Sequence, residues 1–70
     1  MKPHKGLLSS AVLNTKDFNR PVVQGFIYGH PDFPDQRWIH TSAVLNIDFE
    51  KGKIETLNST YDVEWAVRQG

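Results

Sequence analysis

The clearest periodic signal in this 70-residue sequence is an alternation of apolar and polar side chains over residues 38–50. One parity is apolar except for Thr41, and it comprises Ile39, Ala43, Leu45, Ile47 and Phe49. Successive side chains of a strand point to opposite faces, so this pattern predicts a single half-buried strand from Trp38 to Glu50. The chain is therefore expected to be built mainly from β-strands.

The flanking segments extend this prediction. Residues 50–53 form a turn in which Gly52 can take a positive φ, and strands are expected at 54–57 and 61–67 around a turn or bulge at 58–60. Residues 21–28 are rich in β-forming types, and Gly25 within them indicates a bulge or bend. Residues 7–14 are compatible with a strand or a short helix. The recurrence of Ser10–Asn14 as Ser42–Asn46 favours the strand.

These elements predict one domain over residues 1–70, mainly β, as a small antiparallel meander or SH3-like barrel of four to five strands. Residues 1–9 are left open as a flexible N-terminal arm. A core this small is marginal, and one apolar face is expected to stay uncovered. Since eight basic residues balance eight acidic ones, little charge repulsion opposes association. A homodimer or higher homo-oligomer is therefore expected.

Composition excludes several classes of function. Zero net charge argues against a strongly basic nucleic-acid binder and against an acidic mimic of nucleic acid. The absence of cysteine excludes disulfides, thiolate zinc sites and cysteine nucleophiles. No apolar run approaches the roughly 18 residues of a membrane span, and Leu7-Leu8 is too short for a signal peptide. We expect a soluble, cytoplasmic protein with no membrane partner.

Two arrangements suggest chemistry, and both are weak. His30, Asp32, Asp35 and His40 lie close in sequence, but their spacing matches no metal-ligand motif. His40, Ser42 and a loop aspartate can be drawn as a hydrolytic triad, but no nucleophile elbow or glycine turn for an oxyanion accompanies them. We therefore expect no metal, no cofactor and no enzymatic activity.

Binding is the more plausible kind of function. Trp38 stands on the polar parity of its strand, where a tryptophan is more often an interface anchor than a catalytic device. Aromatic rings and hydroxyl groups near Trp38 also suit a nucleotide-type ligand at a subunit interface, which is the second interpretation. Aromatic rings interleaved with basic residues suit single-stranded nucleic acid, which is the third interpretation. The candidate partner- or ligand-binding residues are Tyr28, His30, Asp32, Phe33, Arg37, Trp38, His40, Ser42, Asn58 and Thr60.

Three segments also carry a family resemblance. They are residues 29–35 (GHPDFPD), 39–44 (IHTSAV) and 56–61 (TLNSTY), which together lie within about half of the chain. This pattern resembles a family of small, mostly uncharacterised proteins from bacteriophages and prophages. The family has Asp-Gly where this chain has Asp35-Gln36, a departure that weakens the prediction of a tight turn there.

The resemblance implies a phage-type accessory protein that acts inside a bacterial host. Such proteins often bind and inhibit a host factor, including components of antiviral defence, or sequester a signalling nucleotide. Together with the residues, it leads us to expect a non-catalytic protein that acts by stoichiometric binding of a host protein, with a nucleotide-type ligand as the alternative.

Overall fold

A computed structural model describes residues 2–66, and every regular element in them is a β-strand. The six strands are β1 (His4–Asn14), β2 (Val22–Tyr28), β3 (Arg37–His40), β4 (Val44–Asp48), β5 (Lys53–Thr56) and β6 (Thr60–Trp65). The mainly β prediction is therefore confirmed. The final predicted strand included Val67, which lies outside the described residues. The described residues contain no helix that is long and apolar enough to cross a membrane.

All six strands belong to one mixed sheet with the order β3-β2-β1-β6-β5-β4. It consists of two three-stranded antiparallel meanders, β1-β2-β3 and β4-β5-β6, joined by a parallel pairing of β1 with β6. The prediction of four to five strands in an antiparallel meander is thus wrong in strand number and in the direction of the β1–β6 pair, and the alternative of an SH3-like barrel is wrong in closure. The sheet has six strands and is not closed into a barrel.

The extra strand arises because the predicted strand at 38–50 is broken in two. Thr41 is buried, and its N–H donates to the carbonyl of Val23 at 2.9 Å. Its hydroxyl accepts from the Val23 N–H at 3.1 Å and donates to the Ser42 carbonyl at 2.8 Å. The side chain thereby replaces the next backbone carbonyl of the ladder, and the chain leaves β2 at this point. The following strand, β4, lies at the opposite edge of the sheet.

The two edge strands are thus consecutive in the chain, separated only by residues 41–43. A link of this length spans at most about 14 Å between the flanking Cα atoms. One end of β3 is therefore held near the start of β4, where the Val44 N–H donates to the Pro21 carbonyl at 2.9 Å. The sheet therefore curls around its core, but its two edge strands, β3 and β4, do not pair with each other.

A bulge in β1 supports this curvature. The register between β1 and β2 shifts between Ser9 and Val12, and Ser10 takes a φ of 54°. Gly25 of β2 faces the shift, where an added Cβ would lie 3.0 Å from the Ser9 carbonyl oxygen. Because Gly25 has no side chain, the bulge in the neighbouring strand β1 can approach it closely. The bulge predicted within residues 21–28 thus lies instead in the neighbouring strand β1, whereas the turn at Gly52 (φ 66°) is confirmed.

The core lies on one face of the curled sheet, which we call the inner face. Its buried side chains come from β1, β2, β3, β5 and β6: Leu8, Ala11, Val23, Ile27, Ile39, Ile54, Tyr61 and Val63. Residues 4–9 lie in the central strand β1, between β2 and β6. The repeated pentamer occupies unlike positions, since Ser10–Asn14 is within β1 whereas Ser42–Asn46 straddles the link and the start of β4.

Candidate interaction surface on the outer face

An aromatic cluster lies on the outer face of the β1-β2-β3 meander. The ring of Phe26 packs edge-on against that of Trp38, with centroids 4.9 Å apart and an interplanar angle of 69°. The ring of His40 lies 4.7 Å from that of Phe18, which precedes β2. Trp38 is 45% exposed and Phe26 is 40% exposed. We call Phe18, Phe26, Trp38 and His40 the outer aromatic surface.

The register of β2 with β3 explains why the two large rings meet. Phe26 pairs with Trp38 and Gln24 with His40, so these side chains share the outer face. The Thr41–Val23 hydrogen bond fixes which pairs of the antiparallel ladder are bonded, because bonded and non-bonded pairs alternate. Phe26 and Trp38 are a non-bonded pair, in which the Cα atoms are closer and the side chains touch. The backbone therefore sets this ring contact.

The alternation of bonded and non-bonded pairs also determines which backbone groups of β3 point away from β2. The backbone N–H and C=O groups of Trp38 and His40 point away from β2, toward the free edge of the sheet. Arg37, Trp38 and His40 are all exposed along this edge. The outer aromatic surface therefore borders a sheet edge whose hydrogen-bonding groups have no partner strand among residues 2–66.

The loop between β2 and β3 gathers several of the predicted residues beside this edge. The Gly29 N–H donates to the Asp35 carboxylate at 2.9 Å, and the Asp32 N–H donates to Nδ1 of His30 at 2.9 Å. The Asp35 carboxylate and the His30 ring thus accept hydrogen bonds from the backbone of the loop. The tight turn forms despite the missing glycine, with Gln36 at a φ of 70° and its N–H donating to the Ile27 carbonyl at 2.7 Å.

The rings of this loop form a second, smaller cluster. The ring of His30 lies 4.7 Å from that of Phe33, and Cζ of Arg37 is 5.7 Å from the Phe33 centroid. His30 also stacks on the core residue Tyr61 at 6.4 Å. Burial raises the pKa of the Tyr61 phenol above its usual value, and a hydrogen bond with Ser59 opposes that shift. The two ring contacts of Phe33, with His30 and with Arg37, thus place these three predicted residues together.

The remaining candidates do not join these clusters. Tyr28 is half-buried at the end of β2, opposite Leu7 of β1. Ser42 is half-buried in the link, Asn58 is exposed in the turn after β5, and Thr60 begins β6 with its N–H bonded to the Pro3 carbonyl. The ten predicted residues thus lie in several places, with Trp38 and His40 in the outer aromatic surface.

The outer face of the other meander is charged. Nζ of Lys53 lies 2.7 Å from the Asp62 carboxylate, His4 lies 3.3 Å from the same carboxylate, and Lys2 lies 2.7 Å from Glu55. The Lys53 hydrogen bond, helped by the charges of Lys53 and His4, lowers the pKa of Asp62. A groove of about 240 Å³ runs here, with both signs of charge along its walls. Such paired charges do not build a field for a polyanion.

Apolar side chains are also exposed along β4 and its neighbours. Phe49 is 65% exposed and packs against Trp65 at 5.1 Å, while Leu45 is 55% exposed. Leu13 shares a shallow apolar groove with Pro21, Val44 and Leu45. Exposed apolar side chains are therefore present in the described part of the chain, whereas an uncovered apolar face and association through it remain predictions.

The arrangement offers little to metal or hydrolytic chemistry within residues 2–66. No group of three His, Asp or Glu side chains there is placed to hold a metal ion. Ser42 lies in the link after β3 and its carbonyl accepts from Thr41, while the His40 ring packs against Phe18. The expectation that the protein is not an enzyme stays a prediction.

Sequence reasoning missed two members of the outer aromatic surface. Phe26 lies in an apolar run, and only its shared parity with Gln24 distinguishes it from the buried Ile27. Phe18 lies in the connection between β1 and β2, where strand periodicity carries no information. Its contact with His40 depends on tertiary structure.

No family model matches the chain, and neither the curated proteins nor the solved structures contain a significant match.

Proposed function

We propose that this chain is a non-catalytic protein that acts by stoichiometric binding of another protein through the outer aromatic surface. The observation that carries this proposal is the pair Phe26 and Trp38, packed edge-on with both rings about half exposed. Tryptophan and other aromatic residues are enriched among the side chains that dominate binding energy in interfaces. A ring held by its neighbour also loses little conformational freedom on binding.

The choice of a protein as the ligand is supported by the shape and charge of this surface. Trp38 and Phe26 stand on a sheet face, where a large flat partner can cover both rings. The other half of the outer face carries charges that are paired with one another, so it offers no continuous cationic track. Single-stranded nucleic acid, which needs a cationic track beside its stacking rings, is therefore the third choice.

The identity of the target is proposed from the resemblance of residues 25–61 to small phage and prophage proteins. It favours a bacterial host protein, including a component of antiviral defence, whose activity is blocked by the complex. The proposed place of action is accordingly the cytoplasm of a bacterial host.

Capture of host proteins by the tagged chain tests the proposal, with quantitative mass spectrometry as the readout. Trp38→Ala should weaken binding of the specific partner by about 30-fold or more, as expected for a central anchor. Phe49→Ala is the matched control, because it removes an aromatic side chain that is more exposed but lies on β4's side of the molecule. Equal loss in both variants, or no loss in Trp38→Ala, would contradict the proposal.

The runner-up is a nucleotide-type small ligand at a subunit interface. His30, Phe33 and Arg37 favour it, since two rings and a guanidinium lie together beside the β3 edge. A ligand that binds the folded form raises the melting temperature by mass action. A nucleotide panel in a thermal-shift assay should then give one ligand whose effect disappears in Phe33→Ala. A short single-stranded oligonucleotide in the same panel tests the third choice, which predicts binding that weakens steeply with salt.

A further inference from the structure

We propose that two copies of this chain pair through β3, antiparallel about a twofold axis, to form one continuous sheet of twelve strands. The free edge of β3 is the feature that motivates this inference. β3 pairs with β2 on one side and has no partner strand among the described residues on the other. An exposed edge with free N–H and C=O groups is a template for a further strand.

The geometry of β3 selects one register. Trp38 and His40 are the two residues of β3 whose backbone groups face the edge. Only the register that places Trp38 opposite His40 of the second copy uses both residues in each chain. It forms four inter-chain hydrogen bonds, centred on Ile39. Other registers recruit Gln36, whose positive φ of 70° is unsuited to a strand, or Ser42 in the link.

The side chains in this register are compatible with a second copy. Arg37 lies opposite Thr41 of the second copy, so the two guanidinium groups do not face each other. Trp38 lies beside His40 of the second copy on the outer face, where cross-strand ring pairs stabilise a sheet. The chain carries no net charge, so long-range repulsion does not oppose the approach of two copies.

Pairing of this kind leaves the outer face of the sheet open. The two outer aromatic surfaces become neighbours across the twofold axis, with Phe26 and Trp38 of each copy in one continuous band. The dimer therefore presents two outer aromatic surfaces side by side to a partner. The pairing goes beyond the proposed function and stands on a separate observation, the free backbone groups of β3.

A proline substitution tests the backbone hydrogen bonds directly. His40→Pro removes an N–H that points away from β2, so the β2–β3 ladder keeps its bonds, and edge strands tolerate such prolines. His40→Ala is the matched control, because it removes the same ring but keeps the N–H. Sedimentation equilibrium of the full chain should show a dimer for the native protein, and His40→Ala, which loses only the ring, gives the dissociation constant with which that of His40→Pro is compared. His40→Pro should raise the dissociation constant by about 10- to 100-fold, since each copy loses an inter-chain hydrogen bond.

Amide hydrogen exchange of the native chain gives a readout that needs no variant. Exchange at Trp38 and His40 should slow as protein concentration rises, whereas the Ile39 amide, which faces β2, should not change. A native chain that stays monomeric up to about 100 µM overturns the inference and leaves the edge to a strand of a different protein. A dimer that His40→Pro does not weaken also overturns it and points to the apolar surface around Leu45 and Phe49. Neither outcome affects the partner-capture test of Trp38→Ala.

Discussion

Gln36 holds a backbone conformation that side chains with a Cβ disfavour. Its φ of 70° lies in the left-handed region, where an L-residue is strained by about 1–2 kcal/mol. Glycine removes that strain but loses more chain entropy on folding, which costs about 0.5–1 kcal/mol. We therefore expect Gln36→Gly to raise the free energy of unfolding by about 0.5–1 kcal/mol.

Urea denaturation checks this prediction, with Gln36→Ala as the control. Alanine removes the exposed side chain but keeps the Cβ, so it should leave stability close to that of the native chain. A glycine variant that is less stable than the alanine variant would show that the turn is not strained at this residue.

Thr41 ends β3 through its hydroxyl. Thr41→Val keeps the shape of the side chain but leaves the buried N–H of Val23 without its acceptor. A buried donor without a partner costs about 1–3 kcal/mol, so we expect the free energy of unfolding to fall by that amount. Thr41→Ser restores the hydroxyl and should recover most of the loss in the same urea experiment. If valine and native proteins were equally stable, the hydroxyl would have no part in ending the strand.

At the scale of the elements, one carboxylate links three strands. Asp62 of β6 is bonded to Lys53 of β5 and lies close to His4 of β1. Its pKa in the folded chain is lowered from 3.8, so its stabilising effect is complete above that pH and is lost as pH falls through the folded pKa. The effect is at most about 1 kcal/mol, because water screens this exposed group.

The pH dependence of unfolding in native and Asp62→Asn proteins measures this contribution. The native protein should be the more stable at pH 6, and the difference should shrink as pH falls below 3.8. Lys53→Met, which removes the strongest cause of the shift, should reduce the same difference. A difference that is constant with pH would exclude the carboxylate charge as its source.

The sequence predicted local features of the elements better than their pairing. Gly52 marked its turn because the tight reversal requires a positive φ, and the parity of Trp38 placed its ring outside the core. The break at Thr41 was missed because Ala43, Leu45 and Ile47 continue the apolar alternation beyond it. The parallel pairing of β1 with β6 also left no local sign, since it depends on contacts between residues far apart in the chain, such as Leu8 and Val63.

At the scale of the whole molecule, that distant pairing should control how fast the chain folds. The two meanders form from neighbouring segments, whereas the β1–β6 ladder joins His4 to Thr60 across most of the sequence. Long-range pairing must overcome the entropy of closing a large loop, so folding is expected in milliseconds to seconds. Stopped-flow refolding followed by tryptophan fluorescence measures the rate, and complete folding within tens of microseconds would contradict this account.

The parallel arrangement of β1 and β6 also determines how the protein responds to tension. The chain enters the ladder at His4 and leaves it at Trp65, which lie at opposite ends of the paired strands. A pull on the two termini therefore slides β1 along β6, and all hydrogen bonds of the ladder bear the load together. In an antiparallel pair, the two pulling points would lie at the same end of the ladder, and the hydrogen bonds would break one after another. Within residues 2–66, mechanical resistance is consequently concentrated at the centre of the sheet, in the ladder that joins the two meanders.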